Sequence, residues 1–259
     1  MHALLPAELK QLADALDGGL FVVGGACRDF LAGLKRDKTD WDICAPLSAE
    51  RVAETAEKLG FTVTATYKNT GTVRMKCGGE EYEFTSFRTD EYVRGVHSPV
   101  NVYFTDDISL DARRRDFKCN AVYYDISGQK FVDPLGGIED IKAKRVTTVA
   151  PAVKVFGEDG LRLMRLARIS AQTWFTPDKE CLSGAIANCA LIKDIAAERI
   201  WAELDGILHA DARYGIAGAQ YAGLKILHAS GVLKEILPEL ALGENLQQRK
   251  DFHAYDVLE

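Results

Sequence analysis

Two aspartates separated by one residue, Asp40 and Asp42, lie in the apolar segment DWDIC, residues 40–44. Because side chains alternate along a β-strand, a strand here would place both carboxylates on one face, with Cα atoms about 7 Å apart. Carboxylates bind Mg²⁺ well, and two ions roughly 4 Å apart activate an attacking hydroxyl and stabilise a leaving group. Two acids at this spacing are more often a solvated strand edge, so the pair predicts a metal site only together with other motifs.

Upstream, the segment GGACRD at residues 24–29 joins a predicted strand to a predicted helix. Glycines have no Cβ, so Gly24 and Gly25 would let the backbone approach a triphosphate, whose charge the N–H groups of the helix start would bind. The rival is a dinucleotide-binding fold, but its GxGxxG pattern is not matched because the next glycine is Gly33. The motif therefore favours a nucleoside triphosphate.

A further acid, Glu83, lies in the alternating segment YEFTSF, residues 82–87. The alternation predicts a strand, on which Glu83 could supply a third carboxylate beside the aspartate pair. An alternating strand with one acid is more often a surface strand, and both interpretations stay open on this pattern.

The segment RRRDFKCNA, residues 113–121, places three arginines beside Asp116 and Asn120. Guanidinium groups bind phosphates and planar bases, and carboxylate and amide groups suit ribose hydroxyls. A cluster that only stabilises a helix start is the alternative interpretation.

The segment EDGLR, residues 158–162, predicts a helix start in which Asp159 and Arg162 lie on one face. The acid accepts hydrogen bonds and the arginine donates them, so the pair could read a base in place of a template strand. Taken alone, such a pair is usually a helix salt bridge.

The composition restricts the class of protein. With 259 residues, 47% hydrophobic and 27% charged, the chain is typical of a globular protein of two or more modules, without a membrane partner. Its net charge of −6 argues against RNA binding, but residues 141–170 hold seven cations and two acids, which suits an RNA-binding groove or a solvated helix face. The six cysteines form no CxxC pair and residues 1–10 show no leader, so reduced thiols and a cytoplasmic location are expected.

The elements that must position these motifs change character along the chain. Before about residue 145, apolar and alternating segments predict strands at 20–23, 40–44, 61–65, 72–76 and 80–87, between helices at 7–17, 25–31 and 48–59. Beyond it, helical spacing recurs at 157–171, 179–189, 197–208 and 217–229. The sequence therefore predicts an α+β fold, with a small mixed sheet followed by an all-helical remainder.

Together and in this order, the motifs resemble those of class II tRNA CCA-adding enzymes and bacterial poly(A) polymerases, which belong to the polymerase-beta-like nucleotidyltransferase superfamily. The match covers residues 20–208 and ends with AERI at residues 197–200. The resemblance implies a nucleotidyltransferase head at residues 1–145, a helical neck for base recognition and RNA binding at 146–212, and the start of a helical body at 213–259, before an HD-like domain.

The resemblance also implies a role for each matching residue. Asp40 and Asp42 would hold Mg²⁺, and Glu83 would be a further catalytic carboxylate. The residues implied to bind the nucleotide are Gly24, Gly25 and Arg28 at the triphosphate, Arg115, Asp116 and Asn120 around the ribose, and Asp159, Arg162 and Arg165, of which the first two would pair with the base.

The implied activity is addition of C, C and A to the 3′ end of tRNA from CTP and ATP. A poly(A) polymerase or A-adding enzyme would share every motif, and stays open. A small-molecule nucleotidyltransferase would lack the motif at 158–162, and a non-catalytic RNA-binding module would tolerate loss of the three acids. Residues 88–104 keep the length of the family's flexible loop without its Asp-x-Arg core, and that length argues against an enzyme that adds only C.

Overall fold

The computed structural model describes residues 1–17, 19–35, 39–92 and 99–244, with the single residues 246, 249 and 251. The chain divides into two compact units, the first comprising residues 1–92 and 99–150 and the second beginning at Pro151. Among these residues, none of the helices combines the length and the apolar character needed to span a membrane.

The first unit is built on a seven-stranded mixed sheet with the order β3-β4-β5-β2-β1-β8-β9. Only β2 and β5 pair in parallel, and the other neighbours are antiparallel. Its strands are β1 Phe21–Val23, β2 Trp41–Ala45, β3 Thr62–Tyr67, β4 Thr72–Cys77, β5 Glu80–Ser86, β8 Tyr123–Asp125 and β9 Lys130–Val132. A separate antiparallel hairpin consists of β6 Arg88–Glu91 and β7 Asn101–Phe104, and β10 is Arg145–Val146.

One face of this sheet packs on helices, because its strands alternate buried apolar residues with polar ones. Val22, Ile43 and Phe84 belong to a single core with Leu9 and Val52 from helices. The helices of the unit are α1 Ala7–Ala15, α2 Gly25–Ala32, α3 Ala49–Lys58, α4 Ile108–Arg113 and α5 Gly137–Lys142. The polar residues between the core positions, including Asp42 and Glu83, therefore project from the opposite face.

The second unit is almost entirely helical. Its elements are α6 Ala152–Glu158, α7 Leu161–Thr173, β11 Thr176–Pro177, α8 Lys179–Asn188, α9 Ala197–Leu208, α10 Ala210–Tyr214, α11 Ala219–Ala229, α12 Val232–Ile236 and α13 Pro238–Ala241. Close packing depends on Gly223 of α11, where a Cβ would lie 2.6 Å from Ile207 Cγ2 and 3.0 Å from Ala171 Cβ. The predicted α+β architecture is confirmed.

Three details of the sequence interpretation need correction. The predicted helix at 157–171 is two helices, because Glu158 ends α6, Asp159 is extended and α7 begins at Leu161. The segment 88–104 carries strands β6 and β7 at its ends, and residues 93–98 lie outside the described part. Strands β8 and β9, only three residues each, were not predicted.

Candidate active site

Two of the three acids predicted for the site lie on adjacent strands, on the face of the sheet away from the core, and the third precedes one of these strands. Strand β2 is parallel to β5, and its register places Asp42 opposite Glu83. Asp42 is exposed, and Asp40, also exposed, immediately precedes the strand, with Trp41 buried in the core between them. The structure thus brings Asp42 and Glu83 together as neighbours on adjacent strands, with Asp40 two residues before Asp42.

The glycine motif approaches the same carboxylate. Gly24 ends the turn after β1 with φ 78° and ψ −139°, and Gly25 begins α2. A Cβ on Gly24 would lie 3.2 Å from Asp42 Oδ2, closer than most such contacts. The backbone at the start of α2 and the carboxylate of Asp42 are therefore held side by side, as a site for a metal-bound triphosphate requires.

The donor set fits a hard divalent cation. The described residues contain no group of three or more acid, histidine or cysteine side chains placed to hold a metal. Mg²⁺ is usually bound through one or two carboxylates, with phosphate oxygens and water as its remaining ligands. Two aspartates near the turn at Gly24 match this requirement, and phosphate binding by that turn and metal binding by Asp40 and Asp42 stay predictions.

Arg28 lies in a buried network rather than on the surface. Its Nη1 donates to Asn120 Oδ1 at 2.8 Å, and its Nη2 lies 2.7 Å from Asp29 Oδ1. Asn120 Nδ2 in turn donates to Asp116 Oδ1 at 3.3 Å, and the backbone N–H of Phe117 donates to that same oxygen at 2.7 Å. Three predicted nucleotide-binding residues, Arg28, Asp116 and Asn120, are thus joined, and the network ties α2 to the turn at 117–120.

Arg115 is positioned by an acid that the sequence interpretation did not select, Asp111. Asp111 Oδ2 accepts from Arg115 Nη2 at 2.9 Å and from the Tyr123 hydroxyl at 2.7 Å, and Oδ1 accepts from Arg114 Nε at 2.7 Å. Burial alone would raise the pKa of Asp111, but the charges of Arg115 and Arg114 and the Tyr123 hydroxyl lower this pKa to about 2. The sequence signal that could have identified Asp111 is its position three and four residues before Arg114 and Arg115.

In the second unit, hydrogen bonds hold the side chains of Asp159 and Arg162 in place. Arg162 is buried, and its Nη1 donates to Glu158 Oε2 at 2.7 Å and to the carbonyl oxygen of Val155 at 2.9 Å. Asp159 Oδ1 accepts from the N–H of Leu161 at 2.9 Å, which orders the break between α6 and α7. Asp159 and Arg165 are both partly exposed.

Most cations of the basic stretch 141–170 have acidic partners, which lowers its local charge. The ion-paired cations are Lys142, Arg145, Lys154, Arg162 and Arg168. Of these pairs, Lys142–Glu139 is exposed on both sides and therefore weak, whereas Arg162 is buried and Arg145 and Arg168 pair with acids that are largely buried.

Comparison with known families gives two matches. The model described as "Poly A polymerase head domain" matches residues 20–147. The model described as "Probable RNA and SrmB- binding site of polymerase A" matches residues 174–242. Together they cover more than half of the chain.

Two of the curated relatives are described as CCA-adding enzymes. A "CCA-adding enzyme" of Lactococcus lactis subsp. lactis is 32% identical over 257 residues, covering 94% of this chain and 63% of the relative. One of Geobacillus kaustophilus is 36% identical over 188 residues, covering 73% of this chain and 45% of the relative. The chain thus spans less than two thirds of the length of these relatives.

Solved structures show the same similarity. The Bacillus stearothermophilus CCA-adding enzyme in complex with CTP superposes with a TM-score of 0.71 at 30% identity, covering 87% of this chain and 52% of that one. A tRNA nucleotidyltransferase with a primer tRNA and an incoming ATP analogue gives 0.68 at 24% identity, covering 94% and 64%, which supports the fold alone.

Proposed function

Because this chain belongs to the family of CCA-adding enzymes and poly(A) polymerases, we propose that it adds nucleotides from CTP and ATP to the 3′ end of tRNA. The observation that supports this best is the approach of Gly24 to Asp42, which places the proposed phosphate-binding turn beside the proposed metal-binding carboxylate. Activity of this chain by itself is part of the proposal, since the relatives are longer.

The proposed reaction is an in-line displacement at phosphorus. The 3′-hydroxyl oxygen of the RNA attacks the α-phosphorus of the nucleotide and a new P–O bond forms. The bond to the bridging oxygen breaks, pyrophosphate leaves, and the hydroxyl proton passes to solvent water. Asp40 and Asp42 would hold Mg²⁺, which, when bound, favours loss of that proton and neutralises the leaving pyrophosphate. Backbone N–H groups at Gly25 and the start of α2 would bind the triphosphate.

We propose that Asp116, held by its hydrogen bonds to Phe117 and Asn120, recognises the ribose. Its carboxylate is already oriented by Phe117 and Asn120, so it is ready to accept a hydrogen bond from a 2′-hydroxyl. Arg28 would act through Asn120, because its guanidinium is buried and paired with Asp29. The arginine's charge therefore supports the pocket and the α2 start, in addition to its predicted contact with phosphate.

Base selection is proposed for Asp159 and Arg162. Cytosine and adenine each present an amino donor beside a ring-nitrogen acceptor, whereas uracil and guanine present a carbonyl oxygen beside a ring N–H. A carboxylate only accepts and a guanidinium only donates, so the pair matches C and A and opposes U and G. Glu158 holds Arg162, and the Leu161 N–H holds Asp159, which limits reorientation towards the wrong bases.

The decisive experiment uses tRNA that lacks its terminal CCA, incubated with labelled CTP alone, ATP alone, and both. We expect two additions from CTP, a third when ATP is also present, and no long tail. A long tail from ATP alone would instead identify a poly(A) polymerase. Absence of incorporation under all three conditions, by a protein that melts cooperatively, would refute the proposal, and Asp42→Ala serves as the inactive control.

A further inference from the structure

Three charged side chains form a row across neighbouring strands of the sheet. The antiparallel register of β4 and β5 places Arg74 opposite Glu83, and the parallel register of β5 and β2 places Glu83 opposite Asp42. Residues opposite one another project from the same face, and adjacent strands lie about 4.8 Å apart. Glu83 therefore stands between a proposed metal ligand and an arginine.

The arginine is bonded to that acid. Arg74 Nε donates to Glu83 Oε2 at 2.9 Å, with both side chains about half exposed. The hydrogen bond and the charge of Glu83 raise the pKa of Arg74, which as an arginine is charged across the physiological range. A carboxylate held in this way must give up a charge-assisted hydrogen bond before it binds a cation.

We propose that Arg74 is a positioning residue that withholds Glu83 from the cation, so that the site works with Asp40 and Asp42 as its protein ligands. The inference rests on the proposed metal-dependent function. The described residues contain no three-acid metal cluster, although Glu83 is the register neighbour of Asp42. The ion pair explains that arrangement, because it engages the third acid on the side away from β2.

Removal of Arg74 should strengthen cation binding. In Arg74→Ala, Glu83 loses its partner and becomes available beside Asp42, which adds a ligand and a negative charge to the site. Exposed ion pairs are weak and are screened by solvent, so the change should be moderate, with the dissociation constant of Mn²⁺ falling about five- to tenfold. Arg74→Lys keeps a cation opposite Glu83 and should retain the wild-type affinity.

A matched control exists on the other side of the sheet. Arg51 of α3 pairs with Asp17, with Nη2 3.2 Å from Oδ2 and both side chains exposed. Helix α3 packs through Val52 on the core face of the sheet, opposite the face that carries Asp42 and Glu83. Arg51→Ala makes the same change of charge and should alter Mn²⁺ affinity less than twofold.

The experiment measures Mn²⁺ binding to the full 259-residue chain, without nucleotide or RNA, from the electron paramagnetic resonance signal of the free ion. Asp42→Asn tests the proposed function, because an unchanged affinity in this variant would remove the metal site itself. The inference is supported if Asp42→Asn weakens Mn²⁺ affinity at least tenfold and Arg74→Ala strengthens it. In the double variant Arg74→Ala/Glu83→Gln, the affinity should return to the wild-type value.

Three results would overturn the inference while leaving the metal site intact. The first is an Arg74→Ala affinity equal to or weaker than wild type. The second is an equal gain in Arg51→Ala, which would assign the effect to net charge alone. The third is a loss in Glu83→Gln as large as in Asp42→Asn, which would make Glu83 a metal ligand in spite of its ion pair.

Discussion

Substitution of Gly24 by alanine tests whether catalysis depends on the close approach of the turn at Gly24 to the carboxylate of Asp42. Gly24 has φ 78° and ψ −139°, a conformation that glycine adopts almost alone, so a side chain there costs about 1–3 kcal/mol of stability. In addition, the new Cβ would lie 3.2 Å from Asp42 Oδ2, and the carboxylate would have to move by a few tenths of an ångström. The substitution therefore combines a backbone cost with a displaced ligand.

The two effects separate in a comparison with Gly33→Ala. Gly33 ends the same helix with φ 69°, and a Cβ there meets no atom within 4 Å, so only the backbone cost applies. A misplacement of about 1 Å costs on the order of 100-fold in rate, so a few tenths should cost about tenfold. We expect both variants to melt at a lower temperature, and only Gly24→Ala to lose about tenfold in kcat/KM for CTP.

The assay is initial-rate incorporation into tRNA lacking its CCA end, at a temperature where thermal melting shows both variants to be fully folded. If Gly24→Ala stays within threefold of Gly33→Ala in kcat/KM, the close approach of Gly24 to Asp42 has no catalytic role. The reasoning that joins the turn to the metal site would then be wrong, even if both residues are needed individually.

Further predictions concern single residues. Asp42→Ala should abolish incorporation with an unchanged circular dichroism spectrum, and activity within tenfold of wild type would remove its metal role. Asp116→Ala should lower the preference for CTP over dCTP by roughly ten- to a hundredfold, since a hydrogen bond to a charged group contributes about 1.5–3 kcal/mol; an unchanged ratio would assign the ribose contact elsewhere. The lowered pKa of Asp111, about 2 against an ordinary 3.8, should contribute about 2 kcal/mol of stability that is present above pH 4 and lost as the pH falls towards 2. Urea unfolding of Asp111→Asn should therefore vary less between pH 4 and 2 than that of wild type, and parallel curves would contradict the assignment. Gly223→Ala should destabilise the second unit by about 1–3 kcal/mol, because its Cβ would overlap Ile207, and an unchanged melting temperature would show that α11 shifts without cost.

The sequence predicted the strands that carry Asp42 and Glu83 because a two-residue period is a local property. Alternation alone indicated that Asp42 and Glu83 each lie on a strand with one buried face, and both strands are present. The side-by-side position of those strands is not local, since β3 and β4 lie between them in the chain. The ion pair of Arg74 with Glu83 depends on that pairing, and so could not be read from spacing.

In the second unit, helical periodicity predicted one helix correctly and missed a break in another. Helical periodicity gave α9 its correct bounds, because the apolar residues Ile200, Leu204 and Ile207 are spaced four and three residues apart. At 157–162 the same periodicity predicted one continuous helix, whereas Asp159 bonds the N–H of Leu161 and interrupts it. A side chain that competes for the backbone in this way leaves the apolar pattern unchanged, so only the structure reveals the break. Asp111 was missed although Arg114 and Arg115 follow it by three and four residues, and its contact with Tyr123 of β8 could not be read from spacing.

The interior position of β2 in the sheet has a consequence for how the protein loses activity. Strand β2 has hydrogen-bonded neighbours on both sides, whereas β3 and β9 are at the ends of the sheet's strand order. Amide hydrogens of β2 should therefore exchange with solvent only through global opening, and those of β3 through local fraying. A protein arranged in this way keeps its reactive acids in place until the whole unit unfolds, so heat should produce a mixture of fully active and inactive molecules rather than a population of gradually weakened ones.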